Sequence, residues 1–166
     1  MPAYFLCMEY NMFRLSPLFL SQFEGKQPEW GFGDLSYFVF KRTYARLMPD
    51  GKQEEYFDTC KRVTEGVFNA QREHCKKNRL LWQGNKAQKT AQEFFRRMWE
   101  FKFTPPGRGF WIMGTPLVEQ IGSAALNNCA FTSSKDISIE LGNSFSWAMD
   151  MLMLGVGVGF DTRGAG

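Results

Sequence analysis

Apolar residues fall with helical periodicity in two long stretches of this chain. From about Glu54 to Asn78, the positions Tyr56, Phe57, Val63, Val67 and Phe68 return to one face, which predicts an amphipathic helix with a buried stripe. A second helix is predicted from about Lys86 to Phe101, with Phe94, Phe95, Met98 and Trp99 as its inner stripe. The segment TPPGRGFW ends it, because Pro105 and Pro106 cannot continue a helix. Ahead of these, Pro17, Gly25, Pro28, Gly31 and Gly33 break residues 1–35 into short pieces. LSYFVFKRTYARL (35–47) has the aromatic and β-branched content of a strand, but Lys41, Arg42 and Arg46 lie at helical spacing, so both elements stay open. MPDGK then reads as a turn.

The pattern changes after Pro106. GFWIMGTP and ALNNCAFTSS read as short extended pieces, with a helical turn at 116–122 between them. Asp136 is placed to cap a helix running through ISIELGNSFSWAMDMLML to about Leu154. GVGVGFDTRGAG reads as a glycine-rich turn leading into a strand. A strand–helix–strand unit of about thirty residues begins an α/β architecture without completing it, since one strand pair cannot bury both its faces. The expectation is an α/β protein in two parts, a mainly helical region over 1–108 and the start of an α/β domain over 109–166, forming the N-terminal piece of something larger.

Length and composition fit a packed domain: 166 residues, 44% apolar and 16% aromatic, the latter too high for a disordered chain. No run approaches the roughly 18 apolar residues of a membrane span. MPAYFLCMEYNMF lacks the basic start and small-residue cleavage pattern of a signal peptide, so a soluble cytoplasmic protein is expected. Charge is uneven. Residues 1–110 hold 18 Lys and Arg against 12 Asp and Glu, whereas residues 111–166 hold 2 against 5. The densest basic stretch, Arg72 to Arg108, suits a phosphate-bearing partner, nucleotide or nucleic acid, although a solvated helix face accounts equally well for any single lysine.

Cysteines at 7, 60, 75 and 129 form no CxxC and no zinc-like spacing, and His74 beside Cys75 sits inside a helical pattern. In a reducing compartment these are free thiols, and any disulfide is transient and functional. Cys129, in SAALNNCAFTSS, is compatible with an inert buried thiol, half of a structural disulfide, a metal ligand or a redox-active thiol. With His74 the only histidine, no activating base lies near it in sequence, which argues against a cysteine–histidine hydrolase. Gly155, Gly157 and Gly159 do not form the dinucleotide fingerprint, because they follow a helix and open a strand rather than the reverse. Their spacing allows close backbone approach to a ligand, and a helix C-cap explains it equally.

Four stretches in order, EWGFGDLSYFVFKRTYAR, FTPPGRGFWIMGTP, LNNCAFTSS and DMLMLGVGVGFDT, resemble the ribonucleotide reductases, most closely the adenosylcobalamin-dependent ribonucleoside-triphosphate reductases, from Gln27 onward. The resemblance implies a ten-stranded α/β barrel, incomplete here, preceded by a helical region. It implies replacement of the ribose 2′-hydroxyl by hydrogen through a thiyl radical, generated in this class by adenosylcobalamin. Cys129 matches one of two barrel cysteines that supply reducing equivalents and end as a disulfide. Thr115, Asn128 and Gly157 (in preference to Gly155) match substrate-side positions, and Asp136 matches an effector-side position. Implied partners are a ribonucleoside triphosphate, a deoxynucleotide effector, thioredoxin or a similar dithiol, and the remaining part of a longer or split reductase; direct nucleic-acid binding is not expected. The loop bearing the radical cysteine, the second reductant cysteine and the C-terminal cysteine pair have no counterpart in these residues. Cys7, Cys60 and Cys75 match no functional position, no cobalamin site is identifiable, and the polypeptide is expected to be inactive alone. Two alternatives remain: a reductase class with a separate radical-generating subunit, and a nucleotide-binding module without catalysis.

Overall fold

The protein is described by a computed structural model covering residues 12–133 and 143–161. The chain divides into two compact units, residues 1–115 and 116–166. The described helices of the first are α1 (Pro17–Leu20), α2 (Asp34–Thr43), α3 (Tyr56–Lys77), α4 (Gly84–Trp99) and α5 (Gly107–Ile112).

Helix α3 is the axis of this unit. At its start, the Glu55 amide donates to the Asp58 carboxylate (2.9 Å), satisfying one of the donors a helix N-terminus leaves open. Its inner face buries Tyr56, Cys60, Val63 and Phe68 against Ala91, Phe95, Met98 and Trp99 of α4, while Phe57, Val67 and Phe94 of the expected stripes are only partly buried at its margin. The core is strongly aromatic. Tyr56 packs on Trp30, Phe40, Phe101 and Phe110 at ring distances of 4.9–5.9 Å, and its hydroxyl donates to the Met98 carbonyl (2.7 Å). Burial pushes that phenol well above the ordinary tyrosine range. The segment ahead of α1 lies along α3: the Asn69 amide bonds both the Phe13 N–H and C=O, and Glu65 accepts from Leu15 N and Arg14.

The ambiguity at 35–47 resolves as helix over Asp34–Thr43, after which Leu47 forms an isolated antiparallel bridge with Gln53. Phe40 turns into the aromatic core, while Lys41, one residue on, reaches the Glu54 carbonyl and the Glu55 carboxylate. Burial alone would raise the Glu55 carboxyl, but hydrogen bonds from Lys41, Gln27 and Tyr37 hold it below its ordinary value. Met48 and Gly51 close the expected turn.

One expectation is corrected: GFWIMGTP is not extended, since Gly107–Ile112 is a helix. Six residues cannot hold a helix by propensity alone. Tertiary contacts decide the matter here, with Phe110 and Ile112 buried and the terminal carbonyls captured by Arg62 of α3.

The second unit contains α6 (Pro116–Ile121), a 3-10 turn (Ser123–Leu126), β1 (Cys129–Thr132), α7 (Asn143–Met153) and β2 (Gly157–Phe160). Strands β1 and β2 pair in parallel with Cys129 opposite Gly157 and Thr132 opposite Phe160, and α7 is the crossover. This is the expected strand–helix–strand. The helix ends in a Schellman arrangement, Val156 N–H to Met151 O (3.0 Å) and Gly155 N–H to Leu152 O (2.8 Å), with Gly155 at φ +77°. Asp136, and with it the expected cap, lies outside the described residues.

Candidate functional site

Cys129 opens β1 and is exposed, as is Phe131, whereas Ala130 and Thr132 are half-buried. Alternation along a strand therefore puts Cys129 and Phe131 on one face. In this parallel register their neighbours on β2 are Gly157 and Gly159, so the face beside the thiol carries no side chain from the adjoining strand. The Gly157 amide donates to the Asn128 carbonyl (2.9 Å), which fixes the start of the pair. A methyl group at Gly157 would meet only that carbonyl oxygen, at an ordinary 3.6 Å, and one at Gly159 would meet nothing within 4 Å. Neither glycine is demanded by packing among the described residues. The result is an open, shallow strip with a thiol at its edge.

The three glycines thus have different duties. Gly155 is the helix cap, required by its positive φ. Gly157 and Gly159 are extended strand residues at which a methyl group would have room.

Three of the residues singled out in the sequence, Asn128, Cys129 and Gly157, come together at the start of the strand pair. Thr115 ends the first unit. It is buried, and its hydroxyl donates to the Ile112 carbonyl (2.7 Å), a bond that uses the hydroxyl's proton and not its acceptor lone pairs. Gly114 beside it has φ +74°, and a Cβ there would lie 2.4 Å from the Arg62 carbonyl. The Gly66 backbone of α3 approaches as closely: its added Cβ would be 2.6 Å from both N and Cα of Gly114.

The turn holding Thr115 is fixed by residues the motif reading did not single out. Arg62 makes a two-pronged pair with Glu54 (2.6 and 2.9 Å) and donates to the carbonyls of Met113 (2.6 Å) and Phe110 (3.2 Å). Both partners are well buried, so losing one would leave an uncompensated charge at a cost of roughly 3–5 kcal/mol. The available signal was a glycine, Gly66, inside a strong helical pattern four residues after an arginine, a mark of close backbone approach.

The other described thiols are differently placed. Cys60 is fully buried, and burial pushes its pKa far above the ordinary thiol value, so it stays protonated and inert. Cys75 is half-buried on α3, and Cys7 lies outside the described residues. His74, exposed near the end of α3, is within reach of the Asn78 side chain. Among the described residues no cluster of three or more His, Cys, Asp or Glu could hold a metal ion, and no helix is long and apolar enough to cross a membrane. Among the described residues no site for adenosylcobalamin is identifiable. The first unit also has an aromatic groove of about 1120 Å³ whose charged lining side chains are Glu29 and Glu100; none of the sequence-predicted site residues lines it.

Comparison with known proteins agrees with both units. Residues 15–115 match the ribonucleotide reductase alpha domain. The chain is 44% identical over 161 residues to a probable adenosylcobalamin-dependent ribonucleoside-triphosphate reductase of Dictyostelium discoideum, and 42% identical over 160 residues to the adenosylcobalamin-dependent ribonucleoside-triphosphate reductase of Euglena gracilis. These alignments cover 96% and 95% of this chain but 21% and 22% of the relatives, so the chain spans about a fifth of their length. The crystal structure of a B-12 dependent (class II) ribonucleotide reductase superposes with a TM-score of 0.73 at 29% identity, covering 89% of this chain and 22% of that one. The helical unit built around α3 and α4 and the parallel pair that carries Cys129 are thus parts of one known architecture, and the chain belongs to the ribonucleotide reductase alpha-domain family.

Proposed function

We propose that this chain contributes the helical region and the first reductant thiol of an adenosylcobalamin-dependent ribonucleoside-triphosphate reductase, acting in the cytoplasm on ribonucleotides. The observation that carries this reading is the exposed thiol of Cys129 on a strand whose parallel neighbour presents only glycine beside it. A reductant cysteine must face the nucleotide and must meet a second cysteine at a Cα separation below about 7 Å. An open strip provides for both.

Cys129 and a cysteine from the remaining four-fifths of the enzyme would each give up one hydrogen. The 2′ carbon–oxygen bond breaks, the hydroxyl leaves as water, hydrogen takes its place, and the two sulfurs end as a disulfide, so atoms and electrons balance. Thioredoxin or a similar dithiol restores the pair. Asn128, Gly157 and Thr115 are proposed to lie against the nucleotide, with the backbone at Gly157 free of a side chain and Thr115 offering its oxygen as an acceptor. Asp136 is proposed to face a deoxynucleotide effector. When bound, the cofactor would supply the initiating radical.

The test is Cys129→Ser in the complete reductase containing this chain. Multiple turnover with a dithiol reductant should be abolished, and retention of multiple turnover would refute the assignment.

A further inference from the structure

We infer that Arg62, held by its buried partner Glu54, is a positioning residue that sets the Met113–Thr115 turn for contact with the nucleotide. The inference rests on the reading that Thr115 touches substrate. It starts from the observation that α5 is only six residues long and cannot support itself. Its last carbonyls need donors, and one guanidinium supplies them, with Nη1 on Met113 O and Nη2 on Phe110 O.

The guanidinium is in turn held rigidly. Its Nε and Nη2 atoms bond the two oxygens of Glu54, and Glu54 also accepts from the Thr59 hydroxyl (2.8 Å) and the Arg46 amide (3.2 Å). Four donors fix the carboxylate, and the carboxylate fixes the fork. A second restraint comes from the same face of α3, where Gly66, one turn after Arg62, touches the Gly114 backbone directly. The turn is therefore bonded through its Met113 carbonyl and wedged at Gly114, and its next residue is Thr115. Lysine has one ammonium and no fork, so it cannot serve a bidentate carboxylate and two carbonyls together. This separates a positioning role from one that needs only a positive charge.

The experiment is a double-mutant cycle on KM for a ribonucleoside triphosphate in the complete reductase, using Arg62→Lys, Thr115→Val and the pair. A displaced turn should raise KM on the order of tenfold to a hundredfold. A purely structural loss lowers the amount of active enzyme and leaves the KM of the remainder unchanged. The expected result is that both single variants raise KM and that the pair is no worse than Thr115→Val alone, because both changes act through the same contact. Raised KM in Thr115→Val with none in Arg62→Lys overturns the inference and leaves the Thr115 reading standing. Additive effects overturn it as well, since Arg62 would then act elsewhere. No change in Thr115→Val removes the reading itself. Should Arg62→Lys fail to fold, Glu54→Gln, which keeps the side-chain shape while weakening its hold on the guanidinium, takes its place in the same cycle.

Discussion

Gly66→Ala reverses the usual effect of that substitution and so probes the packing directly. In a helix interior, replacing glycine by alanine normally stabilises by about 0.5–1 kcal/mol. At Gly66 the new methyl would sit 2.6 Å from the N and Cα atoms of Gly114 and 3.1 Å from Met113 Cγ. The Met113 side chain can rotate away, but the Gly114 backbone cannot. The Arg62 carbonyl, on the same face of α3, already lies close enough to Gly114 to exclude a Cβ there, so the contact has no slack along the helix. The turn must therefore move off α3, straining the Arg62 bonds to Met113 and Phe110. Overpacking of this kind costs about 1–3 kcal/mol, which exceeds the propensity gain. The net expectation is a loss of about 1–2 kcal/mol, and each kcal/mol lowers Tm by roughly 2–4 °C in a chain of this size. Thermal and urea denaturation followed by circular dichroism measure it. Gly84→Ala, at the start of α4 with nothing within 4 Å of the added methyl, serves as the control and should be neutral or stabilising. A Gly66→Ala protein as stable as the wild type would refute the close approach of α3 to this turn.

Gly157→Ala should behave in the opposite way: its φ is ordinary and its methyl has room, so stability should hold or rise by about 0.4–1 kcal/mol, while turnover of the complete reductase falls because the strip beside Cys129 narrows. Loss of stability with unchanged turnover would contradict the division of labour among the glycines. Alkylation of the native chain followed by peptide mass spectrometry should label Cys129 rapidly and leave Cys60 untouched until unfolding. Because burial raises the Cys60 pKa, the folded state keeps the proton that the unfolded thiol loses above about pH 9, so stability should fall with rising pH there, and less steeply in Cys60→Ala.

Much of the architecture was legible in the spacing of a few residues. The stripe Phe94, Phe95, Met98 and Trp99 marked α4 because helical burial repeats every three to four positions, and α3 was visible for the same reason. The strand–helix–strand around Cys129 could be read from its turn residues. GFWIMGTP was misread because a six-residue apolar run carries no period long enough to separate strand from helix, and its conformation is set by Arg62, over forty residues earlier in the chain. The same distance hid the clamp on Thr115: nothing local to MGTP shows that Glu54, Arg62 and Gly66 converge there. Cys129 shows the remaining limit. Composition left it among several fates, ordered motifs gave it a role, and only the register of β1 on β2 shows that its strand neighbours are glycines.

The most direct test of that role is a single turnover. With the complete reductase fully reduced, external reductant removed and a limiting ribonucleoside triphosphate added, peptide mass spectrometry without reduction should find the Cys129 peptide joined by a disulfide to a cysteine outside these 166 residues, in proportion to the deoxynucleotide formed. Deoxynucleotide formation with Cys129 still a free thiol would contradict the account.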